Sequence, residues 1–254
     1  MPQKPKLSMY WGASCGGCEI AVINIHEKIL DVDAAFDFMF CPCLLDTKKK
    51  DIEALPDQSI AITLFNGAIR TEENREMAHL MRKKSQVLIA FGSCAHEGCI
   101  PALSNLYPRN DNFTTIYLDN PSTHNPAGVL PQPQTQTPDG IIHLPALLDR
   151  VSTLAQEVDV DYFIPGCPPE PHQIWNVIDL VIQGKPLPPK GSVIGAGRSS
   201  VCDECERKKE NKKIKKFYRT YEIIPDLEQC LLEQGIVCMG IATRDGCGAP
   251  SVQR

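Results

Sequence analysis

Twelve of the 254 residues are cysteines, and most of them fall in groups at short spacing. Cys15-Gly-Gly-Cys18, Cys94 behind Gly92-Ser93, and Cys167 inside Pro165-Gly-Cys-Pro-Pro169 make a first set. Cys202 and Cys205 open a second set, which continues after 24 intervening residues with Cys230, after seven more with Cys238 and after eight more with Cys247. Four thiolates in one place form a tetrahedral sulfur site, and both zinc and a four-iron cubane take four cysteine ligands. The Gly- and Pro-rich surroundings of the first set favour the bulkier group, because glycine lets backbone approach closely and proline fixes a turn. The second set does not end in the second Cys-x2-Cys pair of a zinc ribbon. Its irregular spacing suits a cubane that organises a small segment with little core of its own, and Cys247 is then a fifth thiol.

Other readings compete for single residues. Cys15-Gly-Gly-Cys18 alone would suit a thioredoxin-like dithiol, but that leaves Cys94 and Cys167 unexplained. Cys99 reads as a small buried hydrophobe. Cys41-Pro-Cys43 also follows a strand, yet in a flavodoxin-like order the second strand is peripheral, so this pair reads as non-ligating. Glu19 reads as an ordinary acidic residue at a helix N-terminus, and His96-Glu97 as a polar turn. No residue resembles a hydrolytic catalyst.

The elements that must position these thiols follow from hydrophobic patterning. Lys6 to Tyr10, Ile60 to Phe65, Val87 to Phe91 and Asp161 to Ile164 are short apolar runs closed by Gly, Pro or Asn, and Phe36 to Phe40 is a fifth. Helical segments are expected over Glu19 to Leu30, from Thr71 to Lys84, and over Pro171 to Ile182. The alternation predicts an α/β fold, a flavodoxin-like parallel sheet, with a small C-terminal iron-sulfur cluster-binding tail. In such a sheet Cys15, Cys18, Cys94 and Cys167 all fall at the carboxyl edge, where ligands of open α/β folds bind. Five prolines between Asp119 and Asp139 predict an irregular surface excursion. Pro186, Pro188 and Pro189 read as a linker, dividing the chain into residues 1–184 and a cysteine-rich domain, 185–254.

Composition bounds the function classes. Hydrophobic residues at 43% and charged residues at 22% are ordinary globular values and exclude a disordered or coiled-coil chain. No apolar run of about 18 residues, no leader-like h-region and no twin-arginine pair is present, so the expectation is a cytoplasmic, reducing compartment without disulfides or a membrane span. The formal charge is −5, but Arg207 to Arg219 carries eight Lys/Arg against one Glu, a net +7, leaving −12 for the rest. That is too little for a nucleic-acid reader; a solvated helix face is expected, with docking of an acidic partner as the alternative.

At Trp11 to Glu19, Gly67-Ala-Ile-Arg-Thr-Glu-Glu73, Phe91-Gly-Ser-Cys94, Pro165-Gly-Cys-Pro-Pro169, Tyr221-Glu-Ile-Ile-Pro and Cys230-Leu-Leu-Glu-Gln-Gly-Ile-Val-Cys238, the chain resembles the small subunit of nickel-iron hydrogenases. Within that family it is most similar to the cytoplasmic methyl-viologen-reducing, heterodisulfide-reductase-linked branch, which does not reduce deazaflavin. The resemblance implies a proximal 4Fe-4S cluster on Cys15, Cys18, Cys94 and Cys167. It implies a distal one on Cys202, Cys205, Cys230 and Cys238, with Cys202 where the wider family has His. Cys247 resembles the first ligand of a third, medial cluster, and Ser251 stands near the family's next cysteine. It also implies a nickel-iron large subunit as partner and electron relay toward an iron-sulfur or flavin acceptor such as heterodisulfide reductase, with Glu19 as a proton relay at the subunit interface. The related complex I subunit that passes electrons to quinone has adjacent cysteines in its first motif, where Gly16 and Gly17 here separate Cys15 from Cys18. A zinc-stabilised scaffold without redox role is the reading of a different class.

Overall fold

The computed structural model describes residues 4–253. The chain forms two compact units, Met1–Ile194 and Gly195–Arg254.

The first unit is built on a six-stranded sheet of β1 (Lys6–Trp11), β2 (Asp37–Phe40), β3 (Ile60–Asn66), β5 (Ser85–Phe91), β9 (Tyr162–Ile164) and β10 (Ser192–Val193). Its order is β10-β9-β5-β3-β1-β2, and every pairing is parallel. This is the flavodoxin-like order, with β2 at the edge. Parallel sheets are covered on both faces, and their central strands read as continuous apolar runs; in β3 six of the seven residues are buried. Along β1, Leu7 and Met9 join one core layer with Ile62, Leu64, Ile174 and Val177, while Tyr10 joins the opposite layer with Phe65, Met77 and Met81. Four further strands lie outside this sheet: β4 (Ile69–Thr71) pairs with β8 (Leu147–Ser152), and β6 (Gln134–Thr137) with β7 (Gly140–His143), both antiparallel.

The Glu72–Lys84 helix starts as its sequence asks. The Thr71 hydroxyl accepts from the Asn74 amide at 3.1 Å and the Asn74 side chain accepts from the Thr71 amide at 3.1 Å, satisfying donors that a helix start leaves open. The helix expected over Glu19 to Leu30 is broken into Gly17–Ile23, a 3-10 turn at His26–Lys28, and Ile29–Ala35. His26 lies at φ 59, a left-handed conformation that a continuous right-handed α-helix does not accommodate. The excursion after Asp119 ends in the β6–β7 hairpin, whose two-residue turn is Pro138-Asp139. Beyond Gly184 the prolines lead to β10, whose pairing with β9 keeps the stretch through Ile194 in the first unit.

The second unit has little regular structure: short helices at Val201–Glu204 and Pro250–Gln253 and a 3-10 turn at Met239–Ala242. Among its described residues, Val201 and Ala249 are the buried apolar side chains, whereas Phe217, Tyr221, Ile224, Leu227 and Ile241 are exposed. The basic stretch is not the helix face expected of it. The Glu233 carboxylate accepts from the consecutive amides of Glu210, Asn211 and Lys212 at 3.0, 3.1 and 2.7 Å, so these cannot donate along a helix.

Candidate functional site

The carboxyl ends of β1, β3, β5 and β9 are stitched together by backbone hydrogen bonds. The Gly12 amide donates to the Asn66 carbonyl at 2.7 Å, Gly92 to Ile164 at 2.8 Å and Ser93 to Gly166 at 2.7 Å. Gly67 has φ 95, and a Cβ there would lie 2.6 Å from Gly12, so glycine is needed where the two turns touch.

From this edge come the four thiols of the first set. Burial pushes the Cys18 thiol far above its usual range, and Glu19, Cys94, Cys15 and Cys167 each act on it to raise it further. Burial likewise pushes Cys94 up to about 12, with contributions from Cys99, Cys167 and Cys15. Cys18 is buried, Cys94 half-buried, and Cys15 and Cys167 exposed; neighbouring thiols resist joint ionisation, and a cationic inorganic centre would make four thiolates there favourable. Gly92 makes room for the sulfur: at φ 83, a Cβ on it would stand 2.4 Å from Cys18 Sγ.

Two residues at this edge escaped the sequence reading. Cys99, read there as a core hydrophobe, brings its thiol into hydrogen-bonding contact with those of Cys94 and Cys167. Its backbone is at φ 40, directly after left-handed Gly98, so an unfavourable turn aims it there. Only the shared neighbourhood of Gly98 and Cys94 hinted at this. Asn66, the last residue of β3, is fully buried, and its Nδ2 donates to both Glu19 carboxylate oxygens at 2.7 and 2.8 Å and to Ser14 Oγ at 3.0 Å. Glu19 is itself 6% exposed, far more enclosed than an ordinary helix-start carboxylate. His96, expected in a polar turn, lies in the Ser93–Glu97 helix with its ring 4.6 Å from that of Phe163.

Cys41 and Cys43 follow edge strand β2 with their sulfurs 3.3 Å apart, and burial pushes Cys41 up to about 12.

In the second unit, Cys202, Cys205, Cys230 and Cys238 line one cavity. The Val201–Glu204 helix carries the first, the Cys230 amide is fixed by the Lys208 carbonyl at 2.8 Å, and Cys238 Sγ accepts from the Gly240 amide at 3.5 Å. Arg207 and Lys209 line the same cavity. Cys247 is not among the lining residues; its Sγ lies 4.0 Å from Glu204, whose carboxylate also accepts from the amides of Gly246 and Gly248 at 2.7 and 3.1 Å.

Residues 15–181 match the family described as NADH ubiquinone oxidoreductase, 20 Kd subunit. The chain is 40% identical to an F420-non-reducing hydrogenase iron-sulfur subunit from Archaeoglobus profundus over 250 residues, 96% of this chain and 77% of that one. It is 37% identical to an F420-non-reducing hydrogenase vhu subunit from Methanocaldococcus jannaschii, over 96% of this chain and 76% of that one. Among solved structures, a chain of an NAD+-reducing [NiFe]-hydrogenase in the H2-reduced state superposes with a TM-score of 0.62 at 26% identity, covering 73% of this chain and 96% of that one. The sheet, the thiols at its carboxyl edge and these likenesses place the chain in the NADH ubiquinone oxidoreductase 20 Kd subunit family, in the part of it occupied by hydrogenase small subunits.

Proposed function

We propose that this hydrogenase subunit is the electron relay of its complex, with a proximal 4Fe-4S cluster on Cys15, Cys18, Cys94 and Cys167 and a distal one on Cys202, Cys205, Cys230 and Cys238. The observation that carries the reading is the convergence of four thiols, from the ends of three strands, on one sheet edge where the other three act on Cys18. When bound, such clusters take up and release single electrons, and the protein tunes them through ligands, burial and hydrogen bonds. The chain supplies N–H···S contacts for this, from Gly17 to Cys15 at 3.4 Å and from Gly240 to Cys238 at 3.5 Å.

The partner at the carboxyl edge is a nickel-iron large subunit that splits dihydrogen. Ile20, Ile23, Ile100, Leu103 and Leu106 are exposed apolar residues on the segments that follow β1 and β5, and they support docking of a large apolar surface there. Glu19, enclosed and oriented by Asn66, is the carboxyl group positioned to pass protons between the two subunits. Beyond the distal site the electrons go to an iron-sulfur or flavin acceptor of the heterodisulfide reductase kind. Cys247, beside the Glu204 carboxylate, resembles the first ligand of a third cluster site.

The test is anaerobic co-purification with the large subunit, followed by metal and sulfide analysis. Two cubanes require about eight irons per chain. The complex reduces a viologen dye with dihydrogen, and the small subunit alone does not. Zinc in place of iron, or dihydrogen-dependent dye reduction by the isolated chain, would overturn the reading.

A further inference from the structure

Arg207 is 6% exposed, and the hydrogen-bond partners of its guanidinium are backbone carbonyls, with no carboxylate paired to it among the described residues. Its Nε donates to the Val252 carbonyl at 2.6 Å, and its Nη1 to the carbonyls of Asp226 at 3.2 Å, Gln229 at 3.5 Å and Leu227. These oxygens take up the Nε and Nη1 protons and hold the planar group in place, but as neutral carbonyls they bring no negative charge to it. An enclosed charge of this kind is costly unless an opposite charge stands nearby. The guanidinium lines the cavity formed by Cys202, Cys205, Cys230 and Cys238. Lys209, also on that cavity, donates to the Cys205 carbonyl at 2.8 Å and adds charge of the same sign.

We infer that Arg207 is the counterion of the distal cluster and raises its reduction potential, an inference that rests on the cluster assignment made above. A four-iron cubane with four thiolate ligands is an anion, and reduction adds one electron and no proton. A fixed cation therefore stabilises the reduced form more than the oxidised one, and net charge is among the factors that set cluster potentials. The proximal thiols have the opposite setting, beside the Glu19 carboxyl group. The two surroundings together make the electron more stable at the distal site than at the proximal one. Arg207 thereby biases flow away from the large subunit without touching substrate or reacting atoms, as a positioning group for the electron.

The experiment is a potentiometric titration of the anaerobic complex followed by electron paramagnetic resonance, with the distal signal identified as the one missing in Cys230→Ser. Arg207→Gln retains amide donors for the carbonyls and removes the charge. At the wild-type distal midpoint its reduced-to-oxidised ratio falls at least tenfold, a displacement of about 59 mV for a one-electron couple, while the proximal midpoint stays in place. A normally populated distal cluster with an unmoved midpoint overturns the inference. If Arg207→Gln fails to hold the cluster, Arg207→Lys decides. A cluster kept at the wild-type midpoint supports the charge role, whereas cluster loss or a displaced midpoint in the lysine variant shows that Arg207 only ties backbone together. Cys230→Ser that removes no cluster signal instead refutes the distal assignment itself.

Discussion

At the scale of single residues, five thiols crowd a place where a cubane needs four. Cys15, Cys18, Cys94 and Cys167 come from turns that strand ends dictate, and Cys99 arrives on a strained backbone. We expect Cys99→Ser to retain the full iron content, and the double change of Cys41 and Cys43 to Ser to do the same, because neither removes one of the four. Loss of about four irons per complex in either variant would show that the ligand set has been drawn wrongly. Glu19→Gln addresses a different function. The glutamine preserves the contact with Asn66 but cannot exchange a proton, so dihydrogen turnover falls about 100-fold or more while both cluster signals persist. Unchanged turnover would remove Glu19 from the proton path.

At the scale of elements, Asp161 fastens three of them together. Its carboxylate accepts from Arg82 of the Glu72–Lys84 helix at 2.7 Å, from the Leu88 amide of β5 at 2.8 Å and from Lys190, just before β10, at 2.5 Å. Burial alone would raise its pKa; the hydrogen bonds from Arg82 and Lys190 outweigh that and hold it below the ordinary carboxylate range. A lowered native pKa gives stabilisation that is complete above the unfolded value, about 3.9, and is lost only as pH falls through the native value. Asp161→Asn should cost about 2 kcal/mol, read as faster amide exchange in β5 and β10 of the complex. That difference should be equal at pH 7 and pH 5 and shrink only below about pH 4; a collapse between pH 7 and pH 5 would mean that the ionised carboxylate is not its source. The strands of this sheet were legible because buried parallel strands are short apolar runs punctuated by Gly, Pro and Asn. The β6–β7 hairpin was not: Gln134-Thr-Gln-Thr137 lacks an apolar face, and the Pro138-Asp139 turn before Gly140 was its one mark. The first helix misled because Ile20, Ile23 and Glu27 sustain a helical period across a position whose backbone is left-handed. The placement of the first-set thiols at one edge followed from topology; the contact of Cys99 with them depends on a φ of 40 that spacing does not reveal.

At the scale of the whole molecule, the two units differ in what gives them order. The first has two apolar layers on a six-stranded sheet, whereas the second buries almost no apolar side chain. Backbone order costs about 1 to 2 kcal/mol per residue, so on the distal-cluster proposal the second owes its order to the group its cysteines hold. Cys230→Ser should therefore expose Gly195–Arg254 to limited proteolysis while the first unit keeps its iron; a protected tail in that variant would contradict the dependence. Cys247→Ser, outside the four-cysteine cavity, should leave the tail protected and both clusters filled.

The two borders of the sheet carry a further consequence, for chains still waiting for a partner. β10 contributes only Ser192–Val193, and β2 is a short strand whose pairing with β1 is interrupted between Leu7 and Ser8. Neither offers the long, flat row of open amides on which strands of other molecules can stack. The apolar residues at the carboxyl face, by contrast, remain uncovered. An unassembled chain should accordingly clump through greasy side-chain contacts into amorphous, detergent-dispersible material, and bind little of the dyes that report cross-β fibrils.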